Sequence, residues 1–581
     1  MGASVRTSVA TPGVPAPRDT SFSDLDGALR VLSERATAFA RTPLADKVSF
    51  LREIGARFHE LSGRMVEAAC VAKAVVVGSP LEGEEWQAAI VPILRNLKQL
   101  ADSLDQVRRF GAPRVEASRL SQASTGGVAV EVTPHEWYDS VLYAPFAAKT
   151  WLLPGVDAER LSDAQASFYK RQGPEGRVAL VLGAGNVASI PVLDVMYKSF
   201  VDGAVCLLKM SPVNAYLGPF FELALAPLTA RGFLRIVYGG AEVGAYLVAH
   251  AAIDELHITG SAETHDRIVW GPPGAERDAQ KKSGIPRFQK PVTSELGNVS
   301  PVLVVPGKYS DAELDTMARG IAGMVVQNAS FNCNAAKMLV TPRGFAQRSA
   351  LLDRLQAQLA RVPPRFAYYP GAAERYASLT EHATHVTRLG NPRAGQLPWT
   401  LVSELDPESS APQFSVEPFC SILSEVSVGS ADPLEFLDSA TRFANERLWG
   451  TLNAMLYVAP TTERDATLSA ALERSIAALR YGTIGVNQWP AAAYAIATSP
   501  WGGHPSATLA DVQSGLGWVH NGLLLEQVEK TVQRGPLRAF PAPPYFPGHR
   551  SLRQLGRALA DFEAAPSALG LGKVGYFAVR A

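Results

Sequence analysis

Cysteine is scarce and scattered. The chain has four, Cys70, Cys206, Cys333 and Cys420, with no CxxC pair and no histidine at metal-ligand spacing beside any of them. That excludes a disulfide framework and gives no sign of a metal centre, so a reducing, cytoplasmic setting is the expectation. Net charge is also missing: 55 Lys plus Arg balance 55 Asp plus Glu, which leaves no basic tract for nucleic acid or anionic lipid. No uncharged apolar run approaches the roughly 18 residues a membrane helix needs. The opening MGASVRTSVATPGVPAPRDTSFSD has no apolar core of a secretion signal. Arg6 stands where a myristoylation signal takes Ser or Thr. Its Arg and Ser without early acid faintly resemble a transit peptide, and a disordered tail over residues 1–24 is the preferred expectation.

What is present is length and apolar material. At 581 residues, 47% of them hydrophobic, the chain predicts two or three domains with sizeable cores. Residues 25–107 carry apolar positions every three or four residues with charges between, the pattern of covering helices; His59 and Cys70 read there as packing residues. GGVAVEVTPHEWYDSVLYAP is rich in Val, Tyr and Trp and predicts a β-hairpin turning near Thr133-Pro134. Pairing between subunits and internal packing are equal readings of it. From 176 to 260, apolar strand runs alternate with helical stretches, which argues for a parallel, helix-covered sheet of dinucleotide-binding type.

Two turns in that region stand at strand ends, where α/β sheets bind ligands. Thr259-Gly260-Ser261 opens a helix, whose free N–H groups favour a phosphate. Lys209 closes another strand ahead of Met210-Ser211-Pro212, within reach of ribose hydroxyls or phosphate. A Ser N-cap and a solvated Lys are each ordinary; their joint occurrence favours the functional reading.

The stretch from Glu295 to Cys333 joins a carboxylate to a thiol. ELGNVSPVLVV predicts a strand, a helix follows from the N-cap Ser310, and the polar turn QNASFNC returns the thiol toward the strand's start. A sulfur nucleophile with a carboxylate base is what acyl chemistry on a carbonyl requires. A lone Cys is ordinarily small apolar filling, but Asn328, Ser330, Asn332 and Asn334 surround this one with amides and hydroxyl.

Taken in order, GAGN at 183–186, Lys209-x-Ser211, ITGS at 258–261, ELGNVSP at 295–301, Cys333, EPF at 417–419, RYGTIGVN at 480–487 and PWGG at 500–503 resemble the aldehyde dehydrogenase superfamily over about residues 25–536. The resemblance implies an α/β fold: an NAD(P)-binding domain with a parallel sheet (25–122 and 147–294) and an α/β catalytic domain (295–487). It also implies a return segment to the cofactor domain (488–514), a hairpin oligomerisation element (123–146 with 515–536) serving a homodimer or homotetramer, and a C-terminal extension (537–581). It implies Cys333 as nucleophile with a lowered thiol pKa, Asn186 and the Cys333 N–H as oxyanion donors, and Glu295 as hydrolytic base. Lys209, Ser211, Gly260, Ser261, Glu417 and Phe419 would hold NAD or NADP, and an aldehyde would be the substrate.

The chain departs from the family pattern in places. Ser330-Phe331-Asn332-Cys333 replaces Gly-Gln-x-Cys, and Pro212 replaces the Glu that commonly binds the ribose 2′-hydroxyl, which leaves both NAD and NADP open. GPPGAERDAQKKSGIPRF reads as a solvated surface loop. The extension predicts a helix around SLRQLGRALADFE, a last strand KVGYFAV, and packing near a substrate entrance. Two other readings stand beside the dehydrogenase: acyl transfer to or from coenzyme A or a carrier, against which the presence of Glu295 counts, and a catalytically idle nucleotide-binding scaffold.

Overall fold

The computed structural model describes residues 17–580. Residues 1–16 of the expected tail lie outside the described residues. The first helix, Phe22–Ala40, begins inside the stretch expected to be tail, because Ser21 caps it by accepting from the Asp24 N–H at 3.2 Å. Together with Leu44–Ala72 and Val91–Phe110 it forms the predicted helical layer, burying Leu25, Leu29, Leu32, Ile54, Phe58, Leu97 and Leu100. Cys70 packs inside as expected, whereas His59 faces the C-terminal extension, its Nε2 3.0 Å from Asp561.

That layer covers a five-stranded sheet in the order Leu234–Val237, Val205–Lys209, Val178–Leu182, Glu255–Gly260 and Val292–Leu296. All neighbours are parallel. Val205–Lys209 is buried at every residue, which is why it reads as an unbroken apolar run rather than an alternating one.

The chain leaves this sheet at Leu296 and enters an eleven-stranded one five residues later, at Pro301–Val304. Parallel Thr483–Val486 and Asn453–Tyr457 lie to one side of Pro301–Val304; Met338–Pro342, Ile422–Val428 and Trp399–Leu405 lie to the other. Val528–Arg534 continues the sheet to antiparallel Ala147–Leu152, Val128–Thr133 and the edge strand Leu120–Gln122, so the predicted hairpin is real. Its connection is longer than a turn and holds a short helix, Asp139–Leu142. No helix of the described residues is long and apolar enough to cross a membrane.

Two local expectations fail. The stretch taken for a loop forms the helix Ala275–Ser283, opened at Gly274 and closed by Gly284 in the left-handed region (φ 71°). KVGYFAV is not a strand but part of the helix Ala568–Ala578, because Ser567 caps it and its apolar side chains pack on the preceding helix Leu552–Ala564. The extension is anchored by ions as well as by apolar contact. Arg95, fully buried, binds Asp139 at 2.8 and 2.9 Å and Glu563 of the extension at 3.0 Å, while the Tyr138 hydroxyl donates to Glu563 at 2.9 Å.

Breaking one member of such a buried group leaves another uncompensated, at a cost of about 3–5 kcal/mol. Glu563→Ala is therefore expected to lower unfolding free energy by that order in urea titrations; a loss below about 1 kcal/mol would show the extension to be loosely attached.

Candidate functional site

The site forms where the two sheets adjoin. Glu295 is the next-to-last residue of Val292–Leu296; Asn186 lies in the loop after Val178–Leu182; Cys333 follows the helix Asp311–Val326; Glu417 and Phe419 precede Ile422–Val428. The capping box of Ser310 and Glu313 fixes the start of that helix, and so the height at which it delivers the thiol. All five residues, with Thr259, Gly260 and Ser261, line one cleft of about 640 Å³. Gly297 is required for this convergence, since a Cβ there would fall 1.8 Å from Glu417 Oε2. Glu417 is ion-paired with Lys337, whose ammonium also donates to the carbonyls of Cys333 at 2.8 Å and Asn298 at 3.0 Å.

Three consecutive residues shortly before Cys333 are left-handed: Asn328 (φ 51°), Ala329 (φ 55°) and Ser330 (φ 70°). That conformation costs roughly 1–2 kcal/mol per residue, and a buried polar network offsets it. The Asn328 amide donates to Asn186 O at 3.1 Å, Phe331 O at 3.0 Å and Asn332 Oδ1 at 3.2 Å, and its own Oδ1 accepts from Lys73 at 3.1 Å. Lys73 pairs with Glu85 at 2.7 Å and reaches Asn186 O at 3.2 Å. The Asn186 amide donates to Phe331 O at 3.0 Å. The Cys333 backbone N–H donates to no described residue.

Electrostatics correct one expectation. Burial pushes the Glu295 carboxyl up to about 8, with the charge of Asp194 acting in the same direction. The Cys333 thiol is also pushed well up, first by burial and then by Glu295, with Lys337 opposing. A lowered thiol pKa was expected from polar neighbours, but Asn328 and Asn332 are spent on hydrogen bonds within their own loop. The helix before the thiol presents its C-terminal, negative end to this turn. Among the four free thiols Cys333 alone is not fully buried; burial pushes Cys70, Cys206 and Cys420 to about 12.

On the other side of the cleft, Gly260 and Ser261 open the helix Ala262–Val269, where Ser261 accepts from the Thr264 N–H at 3.2 Å. Lys209 and Ser211 do not line this cleft. Lys209 is buried at its strand end, its pKa brought down to about 8 by desolvation, and Ser211 packs against Gly185. Phe331 is buried beneath the site, stacked on Tyr369 with centroids 5.7 Å apart, and Tyr369 and Phe419 face the cleft. Arg277 and Lys281 of the inserted helix are not simply solvated: they pair with Glu263 and Asp266, the two acids on the cleft-lining helix. Sequence reasoning missed Lys337, Lys73, Tyr369 and Arg375, the last lining the cleft and donating to the carbonyls of Pro418 at 3.1 Å and Phe419 at 3.2 Å. The one available signal was Lys337 itself, a lone cation opening the apolar strand KMLV.

Residues 111–365 match the model of the aldehyde dehydrogenase family. Betaine aldehyde dehydrogenase 2 of Rhizobium meliloti (strain 1021) is 30% identical over 202 residues, 33% of this chain and 36% of that protein; the chain thus matches about a third of this relative's length. Two solved structures share the fold. Mycobacterium tuberculosis aldehyde dehydrogenase complexed with NAD+ has TM-score 0.59 at 15% identity, covering 91% of this chain and 92% of that one. Glyceraldehyde-3-phosphate dehydrogenase GapN of Methanocaldococcus jannaschii complexed with NADP has TM-score 0.58 at 13% identity, covering 90% and 97%.

With the thiol raised by burial and by Glu295, alkylation of Cys333 by iodoacetamide is expected to be slow at pH 7 and to climb above pH 8. Glu295→Gln removes the charge that Glu295 carries above about pH 8 and should speed labelling severalfold there, with little change at pH 7. Peptide mass spectrometry across pH checks both; a rate independent of pH between 6 and 9 would contradict this electrostatic arrangement.

Proposed function

We propose that this chain, which has the aldehyde dehydrogenase fold and matches that family's model over residues 111–365, is an NAD(P)-dependent oxidoreductase. In this reading it converts an aldehyde to a carboxylic acid through a thioester on Cys333. The observation that carries the reading is the meeting of thiol, carboxylate and amide of Cys333, Glu295 and Asn186 in one cleft that continues to Gly260, Ser261 and Glu417.

The residues present fit a dinucleotide. The space over Gly260 is open, since a Cβ there would meet nothing within 4 Å, and Ser261 opens a helix whose N–H groups suit a pyrophosphate. Glu417, held by Lys337, suits ribose hydroxyls, and Phe419 walls the nicotinamide end. Lys209 and Ser211 are proposed to meet the adenosine ribose beyond the cleft. Pro212 places no carboxylate to repel a 2′-phosphate, so NAD and NADP both suit. When bound, the cofactor supplies the hydride acceptor.

The remaining chemistry belongs to the chain. Glu295, with a carboxyl that titrates near 8, takes the Cys333 proton, and the thiolate attacks the carbonyl carbon. The oxyanion is met by the Asn186 amide hydrogen not used on Phe331 and by the Cys333 N–H, donors already in place before charge develops. Once the Cys333 proton has passed on to solvent, Glu295 draws a proton from the water that cleaves the thioester, and the departing thiolate is reprotonated. A homodimer or homotetramer is proposed through the strands Val128–Thr133 and Ala147–Leu152 with Val528–Arg534.

The test is stopped-flow NAD(P)H formation over an aldehyde panel, with and without coenzyme A. Cys333→Ala should abolish it, and Asn186→Ala should lower the burst about 10²–10³-fold. Glu295→Gln should keep a burst at raised pH but slow hydrolysis about 10²–10⁴-fold. Turnover that depends on coenzyme A would favour the acyl-transfer reading, and no burst with any aldehyde would overturn the dehydrogenase.

A further inference from the structure

Glu295 is 4% exposed and its Oε1 has no hydrogen-bond partner among the described residues. A base so enclosed must lose, each turnover, the proton it collects. Thr259 and Glu295 are register partners on adjacent parallel strands, so their side chains stand side by side on one face of the sheet. His257 and Thr293 are the next such pair along the same face. Asp194, from the helix Ile190–Phe200, bridges the two pairs: it accepts from the Thr259 hydroxyl at 2.8 Å and lies 3.5 Å from His257 Nε2. His257 Nδ1 is 2.9 Å from Thr293 Oγ1, and Thr293 is only half-buried. Proton-bearing groups thus run from beside Glu295 to the surface.

We propose that Asp194 and His257 form the outlet by which the proton gathered at Glu295 leaves the site; this rests on the reading of Glu295 as hydrolytic base. As hydroxide oxygen from water bonds to the acyl carbon and the carbon–sulfur bond breaks, Glu295 takes the water's proton. Thr259 passes its own hydroxyl hydrogen to Asp194 and receives the one from Glu295. His257 Nε2, which also lies 3.2 Å from Thr259 Oγ1, takes that proton from Asp194 in the tautomer that carries its hydrogen on Nδ1, and the ring releases the Nδ1 proton through Thr293 to solvent. One proton moves from water to bulk and nothing is oxidised or reduced.

A buried Asp–His pair ordinarily just satisfies itself. Here the pair, 1% and 2% exposed, has no Lys or Arg within ion-pair distance among the described residues, and a hydroxyl stands at each end. The other groups around it are accounted for. Cys333, Trp501 and Glu417 with its partner Lys337 face Glu295, while Tyr494 and His520 face Asp194. Burial drives His520 down to about 4, so it stays neutral and does not compete for the proton.

Asp194→Asn removes both the acceptor and a negative charge beside Glu295. The first-turnover NAD(P)H burst is expected to persist while steady-state turnover falls tenfold or more and its solvent deuterium isotope effect grows; Asp194→Glu should recover part of the rate. Freed of that charge, Glu295 ionises at lower pH and opposes the Cys333 thiolate earlier, so the pH at which Cys333 alkylation climbs should move up, a readout that needs no turnover. Should Asp194→Asn fail to fold, Thr293→Val, at a half-buried position, should raise the isotope effect alone. The outlet is overturned if turnover stays within twofold and the alkylation profile does not move, whatever happens to Tm. Absence of a burst in the parent enzyme would instead fail the dehydrogenase reading, and the alkylation profile would still decide whether Asp194 acts on Glu295 and Cys333.

Discussion

The ammonium of Lys73 is the point on which the site's geometry rests. It stands just beyond the helix Leu44–Ala72, far in sequence from every residue of the chemistry, yet it holds Glu85, the carbonyl of Asn186 and the side chain of Asn328 at once. Those last two belong to the loops that present the amide and the thiol. Three left-handed residues ask for roughly 3–6 kcal/mol. Hydrogen bonds to charged groups supply about 1.5–3 kcal/mol each, and Lys73 makes three while Asn328 adds its own. The balance closes only because all partners are buried and paired. Glu84 reinforces it from the same helical layer, accepting from the Asn328 N–H at 3.1 Å and pairing with Arg365 at 2.6 Å. The helical layer is therefore more than a cover for the parallel sheet, since it clamps the loops of Asn186 and Cys333 against each other.

A second constraint is electrostatic. Burying a thiol and a carboxyl side by side raises both, and each discourages ionisation of the other. The free site is thereby held in a proton-rich form. Charge is favoured only when something draws it out, whether a carbonyl above Asn186 or a proton acceptor behind Glu295. Lys337 tempers the cost by lying under the Cys333 carbonyl while neutralising Glu417. One cation thus serves the thiol loop and the carboxylate proposed for the ribose, tying the geometry of one to the other.

How much of this was legible depended on whether the cause was local. The parallel sheet could be read because both-face burial writes continuous apolar strands such as VALVL and VCLLK. The convergence of Glu295, Cys333 and Asn186 followed from motif order, since Glu295 ends one sheet just before Pro301 starts the other. The inserted helix Ala275–Ser283 was hidden because its residues are all polar or small; its order comes from Arg277 and Lys281 reaching acids on a neighbouring helix, a tertiary cause. KVGYFAV misled because Val, Tyr and Phe favour strands in isolation, while the capping of Ser567 and a helical partner decided otherwise. The thiol's raised pKa was invisible for a related reason. A row of amides in the sequence does not say whether they face the sulfur or one another.

The C-terminal extension shows how a peripheral segment enters the chemistry. Its Tyr545 packs on Trp489 with centroids 5.1 Å apart, and Trp489 donates from its indole N–H to the carbonyl of Asn334, the residue after Cys333, at 2.8 Å. Two glycines of the helix that delivers the thiol give the neighbouring aromatics room to approach: a Cβ at Gly323 would fall 2.4 Å from Tyr545 O, and one at Gly320 would fall 2.3 Å from the Tyr457 hydroxyl. The extension thus packs on the last two turns of Asp311–Val326, with Tyr545 at Gly323 and Phe546 at Gly320, and supports the turn at its end. At its other end Glu563 joins Arg95 and Asp139, whose Oδ2 accepts from the N–H groups of His135 and Glu136 in the hairpin connection. One segment thereby fixes the nucleophile's loop and the hairpin connection together. The hairpin connection and the Cys333 turn thus share one buttress, held through Arg95, Asp139 and Glu563 at one end and through Tyr545 and Trp489 at the other.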